Sequence, residues 1–219
     1  MKRLALMIGL LALAGTPGCA VVGWVVAQSA PPKKVPAVYD PPKQQTWLVF
    51  VDDLMNPVDY QPVKRELAEN ISRELKTKDV AVRTVDYEDL MDLTMRRDDF
   101  NSMGIPEIGR ELNADLVLYV HLDEFQLRED DVAPLWQGKM KCTVKVVDSR
   151  EGRLWPDDRP KGFPLPLVET PQEVSQADSF GRQVAERLAD KQATQIVRLF
   201  HEHEVPRRPF AKNEPRAYE

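Results

Sequence analysis

The chain has 219 residues and a formal net charge of −5, with 30 Lys and Arg against 35 Asp and Glu spread along its length. That balance lacks the basic footprint of a nucleic-acid-binding protein, so no nucleic-acid partner is expected. Its only cysteines are Cys19 and Cys142. With Cys19 modified, no disulfide could form within the chain and stability would have to come from packing.

The first residues read as an export segment. Lys2 and Arg3 precede an apolar run from Leu4 to Ala14, and small residues lead to Gly18 and Cys19. This layout makes residues 1–18 a lipoprotein signal peptide and Cys19 the candidate lipidation site. Thr16 and Pro17 depart from the usual lipobox. Two alternatives stand beside it: an uncleaved anchor, since Leu4 to Ala27 reaches the roughly 20 residues a bilayer requires, and ordinary cleavage after Ser29. In each case the basic flank stays inside and the following domain lies outside the cytoplasmic membrane.

Residues 19–45 form a tether in this reading, because prolines lack an amide donor and favour extended chain. A single domain is expected over 46–205, and a polar, disordered tail over 206–219. Within the domain, Trp47 to Val51 is a short continuous apolar run suited to a central strand covered on both faces. Pro62 opens a helix whose Val63, Leu67, Ile71 and Leu75 recur every four residues, and Lys78 and Asp79 end it. Val80 to Val85 alternates as a second strand. Helices follow over Tyr87–Arg97 and Ile105–Asn113, then a strand over Leu116–Leu122. Lys139 to Val147 alternates apolar and polar residues and is expected to bury one face. Asp148 to Gly152 supplies a turn to a return strand at Arg153–Trp155. A last helix spans about Ala177–His203, with Ser175 or Asp178 able to cap it. The order strand, helix, strand, helix, strand, hairpin, helix implies an α/β or α+β fold, a mixed β-sheet packed by helices.

The segments VFVDDL, ELAENISRELKTKDVAVRTVDYEDL, IGRELNADLVLYVHL and KVVDSREGRLW resemble the domain shared by the amino-terminal part of TolB, the curli-secretion lipoprotein CsgG and the penicillin-binding-protein activator LpoB. Ala114 and Asp115 match the family's Ala-Asp position, and Asp148 with Gly152 match its hairpin. The resemblance spans roughly Thr46 to Trp155 plus the terminal helix, and implies a periplasmic binding or assembly module. The loop from Glu124 to Gly138 is short and acidic, without the 9 to 11 residues per strand that a membrane barrel needs. A secretion channel is therefore not expected.

Candidate chemistry is sparse. No phosphate loop or nucleophile elbow occurs. His201 and His203, two apart, point to different sides of a helix and read as a solvated helix end, so no metal is expected. Asp52 and Asp53 end the first strand, where carboxylates can be catalytic, but turn formation is the simpler reading. Asp98 and Asp99, Asp130 and Asp131, and Asp157 and Asp158 read as loop charges. Cys142, in phase with Met140 and Val144, reads as an inert core thiol. Trp136 and Trp155 lie beside loops and are the candidate partner-binding residues, each with the alternative of covering a core edge.

The expected function is non-enzymatic: an envelope lipoprotein, held to a membrane by its lipid, most naturally the outer membrane, whose domain binds another envelope protein. No catalytic residue and no cofactor is expected. The alternative is a secreted hydrolase of unrecognised type.

Overall fold

A computed structural model of the chain describes residues 33–53, 57–128, 134–177 and 179–205. The signal and Cys19, Asp130 and Asp131, Asp178 and the tail expected from residue 206 all lie outside the described residues. The chain divides into two compact units. In the first, β1 (Lys33–Val35) pairs antiparallel with a strand near the other end of the chain, β11 (His203–Val205). The second unit runs from Pro36 to Glu202. Regular structure is thus present within the expected tether, at Lys33–Val35, and His203 is in a strand rather than at the end of a helix.

The larger unit is a mixed α+β fold. Its elements are β2 (Thr46–Asp52), α1 (Pro62–Thr77), β3 (Arg83–Thr84), α2 (Tyr87–Arg96), α3 (Ile105–Glu111), β4 (Leu116–Gln126), β5 (Leu135–Trp136), β6 (Lys139–Asp148), β7 (Gly152–Trp155), β8 (Phe163–Pro164), β9 (Val168–Glu169), β10 (Glu173–Val174) and α4 (Phe180–Val197). A seven-stranded sheet has the order β3-β2-β4-β6-β7, with β8 and β9 also pairing β6. The β2 strand is parallel to β3 and β4, while β4, β6 and the outer strands are antiparallel. A separate small pair joins β5 to β10.

Alternation along the strands sorts their side chains onto two faces. Trp47, Val49 and Val51, Leu116 to Leu122 in steps of two, and Met140 to Val146 in steps of two point to one face. There they form the main core with the stripes of α1 and α4. These helices run parallel: Glu66 lies beside Arg182 and Glu186, while Thr194 Oγ1 donates to Glu74 Oε1 at 2.7 Å. On the opposite face, at one end, Leu48, Val117 and Val147 pack with Leu90 and Leu93 of α2 and Ile108 of α3. Close approach there requires Gly109, because a Cβ would stand 2.2 Å from Ser149 Oγ and 2.7 Å from Val117 Cγ2.

Several boundaries differ from the sequence reading. The strand expected over Val80–Val85 shrinks to Arg83–Thr84, because Val80 and Ala81 both donate to Leu75 O and finish the α1 turn, with Asp79 at φ 55°. The strand expected to end at Leu122 continues to Gln126 through an irregularity between Leu122 and Glu124. The last helix starts at Phe180 after Ser179, with no side-chain cap, so Ser175 is not its cap. Instead Ser175 Oγ accepts Ala177 N–H at 3.2 Å. The Asp148 turn is as expected: its Oδ1 accepts the amides of Arg150 and Glu151 at 2.7 and 2.9 Å, and Gly152 supplies φ 95°. At the outer edge Pro164 lies within β8, and Pro166 and Pro171 stand on either side of β9. Lacking amide donors, they blunt that edge against further pairing.

Candidate functional site: the polar half of the sheet

Beyond the end packed by α2 and α3, the second sheet face becomes polar. Asp52 is the register partner of His121, and His121 is the partner of Thr143. One step away, Phe50 opposes Tyr119 and Tyr119 opposes Lys145. The phenol of Tyr119 donates to Asp52 Oδ2. His121 Nδ1 stands 3.6 Å from the same oxygen, beyond hydrogen-bond reach but close enough for attraction once the imidazole is protonated. Thr143 Oγ1 donates to Asp123 Oδ2 at 2.7 Å, and Lys145 Nζ lies 5.6 Å from the Tyr119 ring centroid. The aromatic row continues through Phe50, edge-on to Tyr119 at 5.7 Å and to Phe100 at 6.1 Å.

Phe50, Tyr119, His121, Thr143 and Lys145 are half-buried, and Phe50 joins this row to the cluster packed by α2 and α3. Asp52 is only 7% exposed. Burial, joined by the hydrogen bond and charge of Asp52, pushes the Tyr119 phenol well above its ordinary range. Burial and then Arg153 pull the Lys145 ammonium down. Phenol, imidazole, carboxylates and amine thus share one partly dehydrated face of the sheet. Among the described residues no group of three or more His, Cys, Asp and Glu side chains is placed to hold a metal ion.

The residues singled out from sequence fall in different places. Asp52 is in this cluster. Asp53 is not, because it closes the loop before α1: its Oδ2 accepts Val58 N–H at 3.0 Å and its Oδ1 accepts Lys64 Nζ at 2.7 Å. Burial alone would raise its pKa, but the Lys64 and Val58 hydrogen bonds and the Lys64 charge win and lower it. Asp98 is a loop charge, whereas Asp99 clasps Arg97 through two hydrogen bonds, tying the end of α2 to Glu107 and Glu111 of α3. Cys142 is fully buried and its thiol is pushed well up by burial. His201 Nδ1 lies 2.7 Å from Glu202 O.

Both tryptophans use their rings within the larger unit. Trp155 is stacked between Tyr39 at 5.5 Å and Phe163 at 4.9 Å and meets Phe200 edge-on, following which the Trp155–Pro156 peptide is cis. Trp136 donates Nε1–H to Ser175 O at 3.0 Å, meets Phe180 at 5.8 Å and carries Arg128 over its ring at 5.0 Å. Beside it, the cross-strand pair Leu135 and Val174 is solvent-exposed.

Tyr119, His121 and Asp123 were missed by the sequence reading, which weighed only the histidines near the C-terminus. The signal was present in LVLYVHLD, where Tyr119, His121 and Asp123 fill every second position opposite Leu118, Val120 and Leu122. The Ala114-Asp115 motif has a structural role. Asp115 Oδ2 accepts Thr46 N–H, its N–H donates to Thr46 O, and its carbonyl accepts Ser149 N–H, joining β2, β4 and β6 at one end.

No family model matches the chain, and no curated protein matches it. Among solved structures it is similar to PelC from Paraburkholderia phytofirmans, a dodecamer, at 13% identity and a TM-score of 0.40 over 78% of this chain and 99% of that one. A lipoprotein from Neisseria meningitidis aligns with 70% of this chain and 99% of its own at 13% identity and a TM-score of 0.38. For a minor lipoprotein from Acinetobacter baumannii the values are 72%, 91%, 9% and 0.36. Among the described residues no helix is long and apolar enough to cross a membrane.

Proposed function

We propose that the chain is a membrane-anchored envelope lipoprotein, attached through Cys19, whose domain is a non-enzymatic module that docks another envelope protein. The observation that carries the docking role is the half-buried aromatic and polar cluster of Tyr119, His121 and Lys145 on the sheet face. Surfaces that mix aromatic rings with polar groups already partly stripped of water suit protein recognition, because little further dehydration is required when a partner arrives. Trp136 with Arg128 and the exposed Leu135 and Val174 would add a second contact at the β5–β10 pair.

The test is capture from detergent-solubilised envelope with the full-length protein. The docking reading expects a co-purifying protein that is lost with Tyr119→Ala or His121→Ala while both variants melt normally. Equal capture by wild type and both variants would remove this face from the proposal. The anchor is tested separately: Cys19→Ser should abolish lipid labelling, and an unacylated product cleaved after Ser29 would end the lipoprotein reading.

A second reading is favoured by one feature, the carboxylate of Asp52 hydrogen-bonded to a phenol and 3.6 Å from an imidazole at the carboxyl end of a parallel strand. A secreted hydrolase would need those groups. Screening ester and phosphate substrates decides, since turnover lost in both Asp52→Asn and His121→Ala would replace the docking proposal.

A further inference from the structure

Lys145 alternates with the core residues Val144 and Val146 along β6, so it stands on the polar face of the sheet beside its register partner Tyr119. Arg153 of β7 shares that face. Its register partner is Val147, which packs with α2 and α3 and lies two positions from Lys145. The two cations are close enough for Arg153 to add to the downward pull that burial exerts on the Lys145 ammonium. Among the described residues no carboxylate pairs with either one. Lys145 Nζ has the Tyr119 ring, and Arg153 Nη2 donates to Asp157 O at 3.5 Å. The carboxylates of Asp52 and Asp123 on the same face are engaged by Tyr119 and Thr143. The loop ahead of β8 closes on the stem of Lys145 at Gly162, whose φ is 112° and where a Cβ would stand 3.0 Å from Lys145 Cγ and 2.7 Å from Thr143 Cγ2. A half-buried cation packed beside a second one, each short of a counter-charge, costs the folded protein stability that an incoming anion would restore.

We propose that Lys145 and Arg153 are the anion-binding part of the docking face and receive a carboxylate from an acidic segment of the partner protein. This rests on the docking reading above and adds the chemistry of the partner. Charge complementarity carries it, with the Tyr119 and Phe50 rings alongside to take the apolar side chains of the same segment. A lipid surface fits less well, because anionic membranes are held by clusters of about four to eight basic residues. Here two cations share their face with the carboxylates of Asp52 and Asp123.

The probe is fluorescent hexaglutamate, titrated by anisotropy against the full-length protein in non-ionic detergent at low salt, with hexaglutamine as the control. Hexaglutamate should bind and hexaglutamine should not. Lys145→Met, which keeps the stem and removes the charge, and Arg153→Gln should each weaken binding about tenfold, the scale of one hydrogen bond to a charged group. Lys145→Arg should retain it. No binding of hexaglutamate, or equal binding by wild type and Lys145→Met, would overturn the proposal. Glycerol phosphate bound through the same two residues in place of hexaglutamate would overturn it in favour of a lipid headgroup. The docking reading fails separately, when Tyr119→Ala and His121→Ala leave envelope capture unchanged. A protein captured through Tyr119 and His121 but indifferent to Lys145→Met would leave docking standing and refute the acidic segment.

Discussion

Asp52, at the carboxyl end of β2, accepts the phenolic hydrogen of Tyr119, its diagonal neighbour on β4. The bond ties the two central parallel strands together on their polar face. It stabilises the neutral phenol, as does the burial that is the larger cause of the upward shift.

The sign of the resulting pH dependence follows from that shift. A phenol whose folded pKa exceeds the unfolded value of about 10 contributes stability that is intact below pH 10 and is lost as pH rises further. Tyr119→Phe should flatten the decline in urea midpoint above pH 10. It should also remove from the ultraviolet titration a tyrosine that ionises well above pH 10. An unchanged titration curve would show that the phenol is open to solvent.

Asp53 has the opposite sign. Its folded pKa is lowered, so its contribution is present above the unfolded value of about 3.9 and disappears as pH falls through the folded one. Asp53→Ala should cost about 1.5–3 kcal/mol at pH 7, the scale of a hydrogen bond to a charged group. Chemical denaturation at pH 7 and pH 2 should show the difference between wild type and variant narrowing at the acidic end.

Glu66 in the α1–α4 seam is raised by burial and by Glu186, against the pull of Arg182. A carboxyl group held more tightly protonated in the folded state favours folding at low pH, and that contribution is lost as pH rises through its folded pKa. Glu66→Gln should therefore raise the thermal midpoint at pH 7 and leave it nearly unchanged at pH 4. A lower midpoint at both values would mean that the carboxylate has a role in the seam beyond its charge.

Leu188 and Phe200 are 0% and 3% exposed and belong to the main core. Truncation to alanine should cost about 2–5 kcal/mol for the leucine and 3–5 for the phenylalanine. A domain has only about 5–15 kcal/mol in total, so the double variant should approach global unfolding. Calorimetry with an unchanged midpoint would mean that this face is not what closes the core.

Local patterns in the chain were sufficient for the main elements. The four-residue recurrence from Val63 to Leu75 allows only a helix with one buried stripe, and the alternation from Lys139 to Val147 only a strand with one wet face. Asp148 and Gly152 specify their turn because the carboxylate satisfies local amides and the glycine takes a positive φ. These outcomes depend on neighbours a few residues apart, which is why they could be read from order and spacing.

Tertiary structure decided what those elements do together. Val80 and Ala81 have strand-like alternation, but their amides are captured by Leu75 O at the end of α1, which shortens β3. Asp52 and Asp53 are adjacent and chemically alike in the chain. Strand geometry sends Asp52 toward Tyr119 and His121 on β4, while Asp53 turns into the loop to meet Lys64. Periodicity predicts that a buried stripe exists, but it cannot show that Gln192 will sit within it, fully buried. That result depends on which side chains α1 and the sheet place opposite the amide, and those lie far away in sequence.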